Sequence, residues 1–477
     1  MTAARLLLAA ALLAAAAPGA RAQDDVDDIF AEMAAGTQQQ AEKPAGGLWA
    51  RMRKGFEATA RLRTQSFLYD NRGDDRDSTH NFFETGVDWK YKFSGAGNIF
   101  FTQGWIAGGN APDTYGQIVN SPRDLKRTRN IIELAELYYT RELPGVDVTV
   151  GKRIVEMGLG NLYSPSDRLT PQDLNDPTDG KKLGLWQAGA DAWIKGVLLG
   201  VKVLPMFQPS KFPSRQTRWA GPESGGSGGA VDFNYFSNSG VTIEDRYPRA
   251  VTWRNTGVSG KTKTTFRGWD VFAAGYYGPS PHSVLTRRSY TALELLLDPA
   301  LASRYRKVNE PVVHISGGFA TTYKKLEVHG ETLSQTSPER YDDDFVNTVF
   351  GFSFPFDEFG EDFPLEKITV HGDFAWENLT APAGHPESIQ SSRAGRAAQE
   401  TWMGLLEFQF SDDLKLGTGV TYENNDAGHT EIFGGEYRIM SGLVFKAALE
   451  LFNGPSSSNL GRWDAADRIT TTLEYSF

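Results

Sequence analysis

The chain has 477 residues, 49 Lys+Arg against 59 Asp+Glu for a formal net charge of −10, and no cysteine. That excludes disulfides, thiol chemistry, iron–sulfur clusters and covalently attached haem. Residues 1–22 read as a secretory signal, with Arg5 in the n-region, an apolar run at 6–17 and Ala20-Arg21-Ala22 as the cleavage site; loss of Arg5 and Arg21 takes the formal charge to −12. Beyond it no run of eighteen apolar residues occurs, so no transmembrane helix is expected. Fifty glycines, 12% aromatics and a hydrophobic fraction of 40% suit an outer-membrane barrel or a large extracytoplasmic all-β protein.

Residues 23–54 carry an acidic cluster (Asp24, Asp25, Asp27, Asp28) and a Gln-rich tract, which reads as a periplasmic leader and linker. From Gly55 the period becomes 2. Glu57, Thr59, Arg61, Arg63 and Gln65 alternate with Phe56, Ala58, Ala60 and Leu62. In the next strand Phe83, Thr85, Val87, Trp89, Tyr91 and Phe93 oppose Glu84, Gly86, Asp88, Lys90 and Lys92. Charges on one face and aromatics on the other suit a wall between water and lipid.

Further strands are expected at about 98–107, 130–142, 146–156, 186–195, 197–207, 250–264, 268–278, 312–323, 325–334, 344–354, 366–378, 400–410, 413–424, 429–440, 443–453 and 466–477. The connections alternate between short turns (Lys195-Gly196, Phe266-Arg267-Gly268, Ser441-Gly442) and long segments such as 157–185 and 208–249. A sandwich or propeller has no reason to segregate loop lengths in this way. The expected fold is an all-β transmembrane antiparallel barrel of about eighteen strands over residues 55–477, with short periplasmic turns and long extracellular loops. Sixteen is the competing count, because the 312–334 hairpin lacks an obvious turn. An even count places both termini in the periplasm. In the last strand Ile469, Thr471, Leu473, Tyr475 and Phe477 share one face. Its ending, Tyr475 and Phe477, resembles the signal read by the barrel assembly machinery.

The run 149–160, TVGKRIVEMGLG, followed by PSDRLTPQDL at 165–174, resembles a pattern in poorly characterised porin-like outer-membrane proteins, related in style to the alginate-export barrels. Gly151 matches the glycine of their Gly-Arg-Gln, whereas Lys152-Arg153 and Met157-Gly158 replace Arg-Gln and Trp-Gly. Some thirty residues carry the resemblance, which implies the barrel class rather than a substrate.

Function is accordingly expected to be that of a porin or substrate-selective channel for small hydrophilic solutes, with loop 157–185 as constriction. Expected lumen and constriction residues are Arg61, Arg63, Glu84, Asp88, Lys90, Lys152, Arg153, Glu156, Asp167, Arg168 and Asp173. A bulge at Gly151 is expected to turn Lys152 from lipid to lumen, gathering Lys152, Arg153 and Glu156 near Asp167, Arg168 and Asp173. The alternatives are a polysaccharide-export barrel, which predicts a ladder of inward Arg and Lys, and a sheath for a partner such as a cytochrome. His371 and Asp373 share a polar face as a base-and-orienter pair, yet no G-x-S-x-G elbow appears, and no enzyme is expected. The seven histidines lack metal-ligand spacing, so no metal or cofactor is expected. Expected partners are outer-membrane lipid and lipopolysaccharide, the assembly machinery and small solutes, but no nucleic acid; a homotrimer is the usual porin oligomer.

Overall fold

A computed structural model describes residues 55–477 apart from 70–76, 94–96, 112–113, 120–123, 126–127, 214–216, 221–241, 249–250, 360–363 and 397. The signal and leader expected at 1–54 lie outside the described residues, as do nearly all of the acidic stretch at 71–77 and the Gly-rich stretch at 221–229.

Eighteen strands form the wall: β1 (Phe56–Phe67), β2 (Thr79–Phe93), β3 (Asn98–Gly109), β4 (Ile132–Leu143), β5 (Val146–Arg153), β6 (Leu185–Ile194), β7 (Val197–Leu204), β8 (Gly257–Phe266) and β9 (Trp269–Pro279) in the first half. The second half comprises β10 (Pro311–Tyr323), β11 (Leu326–Thr336), β12 (Asp344–Phe356), β13 (Lys367–Ala381), β14 (Glu400–Gln409), β15 (Leu414–Glu423), β16 (His429–Met440), β17 (Leu443–Asn453) and β18 (Arg468–Ser476). Each pairs antiparallel with its neighbour in the chain, and β18 returns to β1 from Thr59↔Ser476 to Phe67↔Arg468. Beyond the ladder, Ala58 and Phe477 exchange two backbone hydrogen bonds of 3.1 and 3.0 Å. The barrel is closed, so no edge is left open to lipid.

Turn chemistry explains why the count is eighteen. Lys195-Gly196 and Arg267-Gly268 each have positive φ at both central positions (51° and 80°, 53° and 79°), the twist a two-residue hairpin needs. The hairpin that sequence could not close uses Lys324-Lys325: Tyr323 pairs with Leu326, and Lys324 takes φ 57°. A lysine in the left-handed region gives no compositional signal, which is why sixteen strands remained a competing count.

The two faces follow from the alternation. Leu62 (55% exposed), Val150 (54%), Val201 (57%) and Trp402 (55%) point outward, forming an apolar surface with no core behind it. Outward rings touch along it, as in Trp89–Phe100 at 5.6 Å, Trp269–Phe319 at 5.4 Å and Phe374–Trp402 at 4.3 Å. Such a band is stable in hydrocarbon and costly in water, and it indicates an outer membrane. No described helix is long and apolar enough to cross a membrane.

The long connections cluster at one end. There, short strands Thr242–Arg246, Arg304–Val308, Val284–Thr286 and Ser388–Gln390 form a separate four-stranded sheet. Others turn into the barrel, where they contribute to three apolar clusters.

Candidate functional site

The connection from β5 to β6, residues 154–184, runs inside the barrel rather than outside it. Its apolar residues Val155, Met157, Leu159 and Leu169 pack on Leu185, Leu204, Phe272, Tyr276 and Val312 of the wall. Burying these side chains against inward-facing wall residues gives the loop a hydrophobic reason to enter. A short 3-10 helix, Pro165–Leu169, is started by a proline at its first turn.

Polar anchors then tie the loop to opposite walls. On β11 the Glu331 carboxylate accepts hydrogen bonds from Leu159 N (3.0 Å), Ser164 Oγ (2.9 Å) and Ser166 N (2.6 Å). On β13 Asp373 accepts from Leu162 N and Tyr163 N, both at 3.3 Å, and stands 3.3 Å from His329 Nε2. Across the barrel, Asp176 accepts from Arg468 of β18 (3.0 and 3.1 Å) and from Gln65 Nε2 of β1 (2.7 Å). Arg63 pairs with Asp179 and lies 3.8 Å from Asp176, while Lys181 bonds Glu84 of β2. The loop thus hydrogen-bonds both to β11 and β13 and to β18, β1 and β2.

A second inward stretch backs it. Leu174 N donates to Lys211 O and Lys211 N to Gln172 O, both at 2.8 Å. The Lys211 ammonium is buried between Asp124 (2.7 Å) and Glu133 (2.6 Å). Trp219 packs on Phe452 and Trp463, and Trp463 Nε1 donates to Trp219 O at 3.0 Å. Loop 382–399 is held by Arg396, wholly buried, which reaches Glu377 at 2.6 Å and Asp343 at 3.2 Å.

Of the expected lumen and constriction residues, all but Lys152, Arg168 and Asp173 fall into three groups. Arg61 bonds Glu474 (2.9 and 2.8 Å) and lies 3.5 Å from Glu84, while Asp88 accepts from Gln103 at 3.3 Å. Together with Arg63 they form the inward face of β1 and β2. Lys182 joins Glu156 (2.8 Å) to Asp167 (3.0 Å), and Asp167 also accepts from Met157 N and Gly158 N. Lys90 and Arg153 line a cavity against the wall, with Arg153 4.8 Å from the centre of the Tyr138 ring.

The expectations for Gly151, Lys152, Arg168, Asp173 and the His371–Asp373 pair need correction. Lys152 does not join Asp167 and Arg168; it is buried, donates to Leu134 O and lies 3.7 Å from Glu133. No bulge turns it, since Tyr138↔Gly151 and Leu137↔Lys152 pair without a register shift. Gly151 adopts φ 135° where a Cβ would meet Leu137 O at 2.2 Å, so glycine alone redirects the chain here. The register shift lies one strand away, where Gln103 pairs with Glu136 and Gly104 with Leu134. Arg168 turns to the Phe345 ring at 5.1 Å, its Nε and Nη2 without hydrogen-bond partners. Asp173 bonds Arg129 Nε at 2.7 Å, separate from both. Nor do His371 and Asp373 pair: His371 lies 3.1 Å from Glu407, while Asp373 holds the loop. Among the described residues no group of three His, Asp or Glu is placed to hold a metal.

Burial alone would raise the Asp176 carboxyl, but Arg468 and Arg63 beside it hold it well below the ordinary carboxylate range. Its folded value therefore lies below its unfolded value of about 4. The stabilisation is complete above that unfolded value and is lost as pH falls toward the folded one. Protease cleavage within 170–182, followed from pH 7 downward, is expected to stay flat until about pH 4 and then rise. An Asp176→Asn variant is expected to be cleaved more readily at neutral pH and to lose most of that dependence.

The architecture is a closed eighteen-stranded antiparallel barrel. No protein-family model and no curated protein matches the chain. Solved structures that align with it include a triple mutant of Rhodopseudomonas blastica porin, with TM-score 0.37 and 9% identity over 88% of this chain and 99% of that one. Another, described under "Asymmetric conductivity of engineered proteins", aligns with TM-score 0.38 and 9% identity over the same shares. At that level of likeness the fold assignment rests on the strand pairing itself.

Proposed function

We propose that the protein is a substrate-selective outer-membrane channel for small hydrophilic solutes, narrowed by the inward loop. The observation that carries this is a closed eighteen-stranded wall whose 154–184 loop hydrogen-bonds to β11 and β13 and to β18, β1 and β2. A barrel of that strand number is wide enough for an aqueous interior, and a loop crossing it sets which solutes pass. Charged groups of both signs line the path, as in the Arg61–Glu474 and Lys181–Glu84 pairs, which favours selection of solutes by charge distribution over simple sieving. The export alternative needs a ladder of free inward cations, and many of these are already paired. In this reading no catalysis is involved. The termini face the periplasm, and the oligomer is a homotrimer.

Planar-bilayer conductance of the refolded protein tests the reading. Deleting 160–180 is expected to raise unitary conductance; a silent barrel, or one whose conductance the deletion leaves unchanged, would sink it.

The Phe477 ending belongs to assembly in the same reading. Its ring lies 5.4 Å from that of Tyr475 and is 63% exposed on the outer face. Removing Phe477 is expected to reduce the folded, heat-modifiable form in the outer membrane several-fold. Export across the inner membrane, read as signal cleavage, is expected to continue.

A further inference from the structure

Against strands β4 to β8, beside the inward loop, lies a cavity of about 390 Å³, within the ~300–1,000 Å³ range of small-molecule sites. Its wall carries charge of both signs, with Lys90 of β2 and Glu156 of the inward loop also among its lining residues. Asp147 pairs in register with both Glu142 and Asp191, so three carboxylates stand in one row across β4, β5 and β6. Lys202 stands one register step further along, opposite Gly189, and Lys261 lies across Gly200 from Asp191. Arg153 closes this cationic side, braced on Tyr138.

Several inward cations elsewhere are taken up by carboxylates, as Arg61 is by Glu474 and Arg468 is by Asp176. Here, among the described residues, no ion pair joins Arg153, Lys202 or Lys261 to a carboxylate, and none joins Asp147 or Asp191 to a cation. Lys261 donates instead to the Glu156 carbonyl at 3.3 Å. Two glycines make room for the Asp191 and Lys202 side chains on this wall. A Cβ at Gly200 would meet Asp191 Oδ1 at 2.4 Å, and one at Gly189 would meet Lys202 Cγ at 2.8 Å. Charges of both signs that do not satisfy one another complement a solute carrying both.

We propose that this cavity binds a short zwitterionic peptide, its ammonium at Asp147 and Asp191 and its carboxylate at Lys202, Lys261 and Arg153. One register step is two residues, about 7 Å along a strand, and an extended dipeptide spans about the same length. A free α-amino acid is too short to reach both sides. Tyr138, Met157, Trp193 and Leu198 offer the apolar wall that a peptide side chain needs.

The proposal rests on the channel reading only in that solutes enter the lumen, so it is tested without a bilayer. Calorimetric titration of the refolded full-length protein with alanyl-phenylalanine is expected to show saturable binding. N-acetylation or C-terminal amidation of the dipeptide is each expected to weaken binding roughly tenfold, the loss of one charge-assisted contact. Lys202→Met is expected to weaken the dipeptide but not its amide, and Asp191→Asn the dipeptide but not its acetylated form, with heat-modifiable migration confirming that both variants fold. Equal binding of the acetylated peptide would make this a plain anion site and overturn the proposal, as would no saturable binding by a barrel that conducts. Binding by a barrel that does not conduct would keep the site and sink the channel.

Discussion

Replacing Arg468 with alanine is expected to free the inward loop from the closing strand while leaving the barrel assembled. Arg468 is 1% exposed and bonds Asp176 twice, Thr178 Oγ1 and Glu450. Without it, the largely buried Glu450 loses its cation and Asp176 keeps only Arg63 at 3.8 Å, a loss of about 3–5 kcal/mol. The backbone ladder of β18 with β1 and β17 needs none of that side chain, so assembly is retained. Unitary conductance is expected to rise and become noisier, and protease is expected to cut within 170–182. Wild-type conductance together with wild-type resistance to cleavage would show that this anchor does not hold the loop. Lysine at 468 restores charge but not the bidentate geometry, and is expected to rescue only in part.

Glu331→Ala attacks the opposite attachment. One carboxylate there satisfies two backbone amides and a hydroxyl, and hydrogen bonds to a charged group contribute about 1.5–3 kcal/mol each. Glu331 is 2% exposed, so little water replaces what is lost. The expected result is an increase in conductance at least as large as that from Arg468→Ala, with cleavage moved to 157–168. Glutamine keeps an acceptor oxygen without the charge and is expected to fall between. The double variant discriminates further. If the loop is one rigid strap, freeing either end loosens the other and the two effects are not additive. Additive effects would mean two independent attachments.

Strand rhythm was legible throughout because it is local. Alternation in Phe83 to Phe93 reports a wall with one wet and one apolar face, whatever the partners of that wall turn out to be. The segregation of short and long connections likewise needs no tertiary knowledge. The site was less legible. Arg61, Arg63 and Glu84 were found because they sit on a face already assigned inward. Glu331 and Asp176, the two main anchors, carried no signal. Glu331 is one polar residue in an alternating strand, and Asp176 one aspartate in a loop rich in them. Lys152 was given the wrong partners because Leu134 and Glu133 come beside it through the pairing of β4 with β5 and the register shift between β3 and β4.

What the sequence by itself determined is therefore the staves of the wall: the strands, their two faces, the segregated turns and the aromatic ending. These follow from period 2 and turn chemistry, which act between residues a few positions apart. What only the tertiary structure decided is the interior. Arg468 meets Asp176 across 292 positions, and Glu331 meets Ser164 across 167. Such pairings exist only once closure brings distant strands around one loop, so no local pattern can announce them.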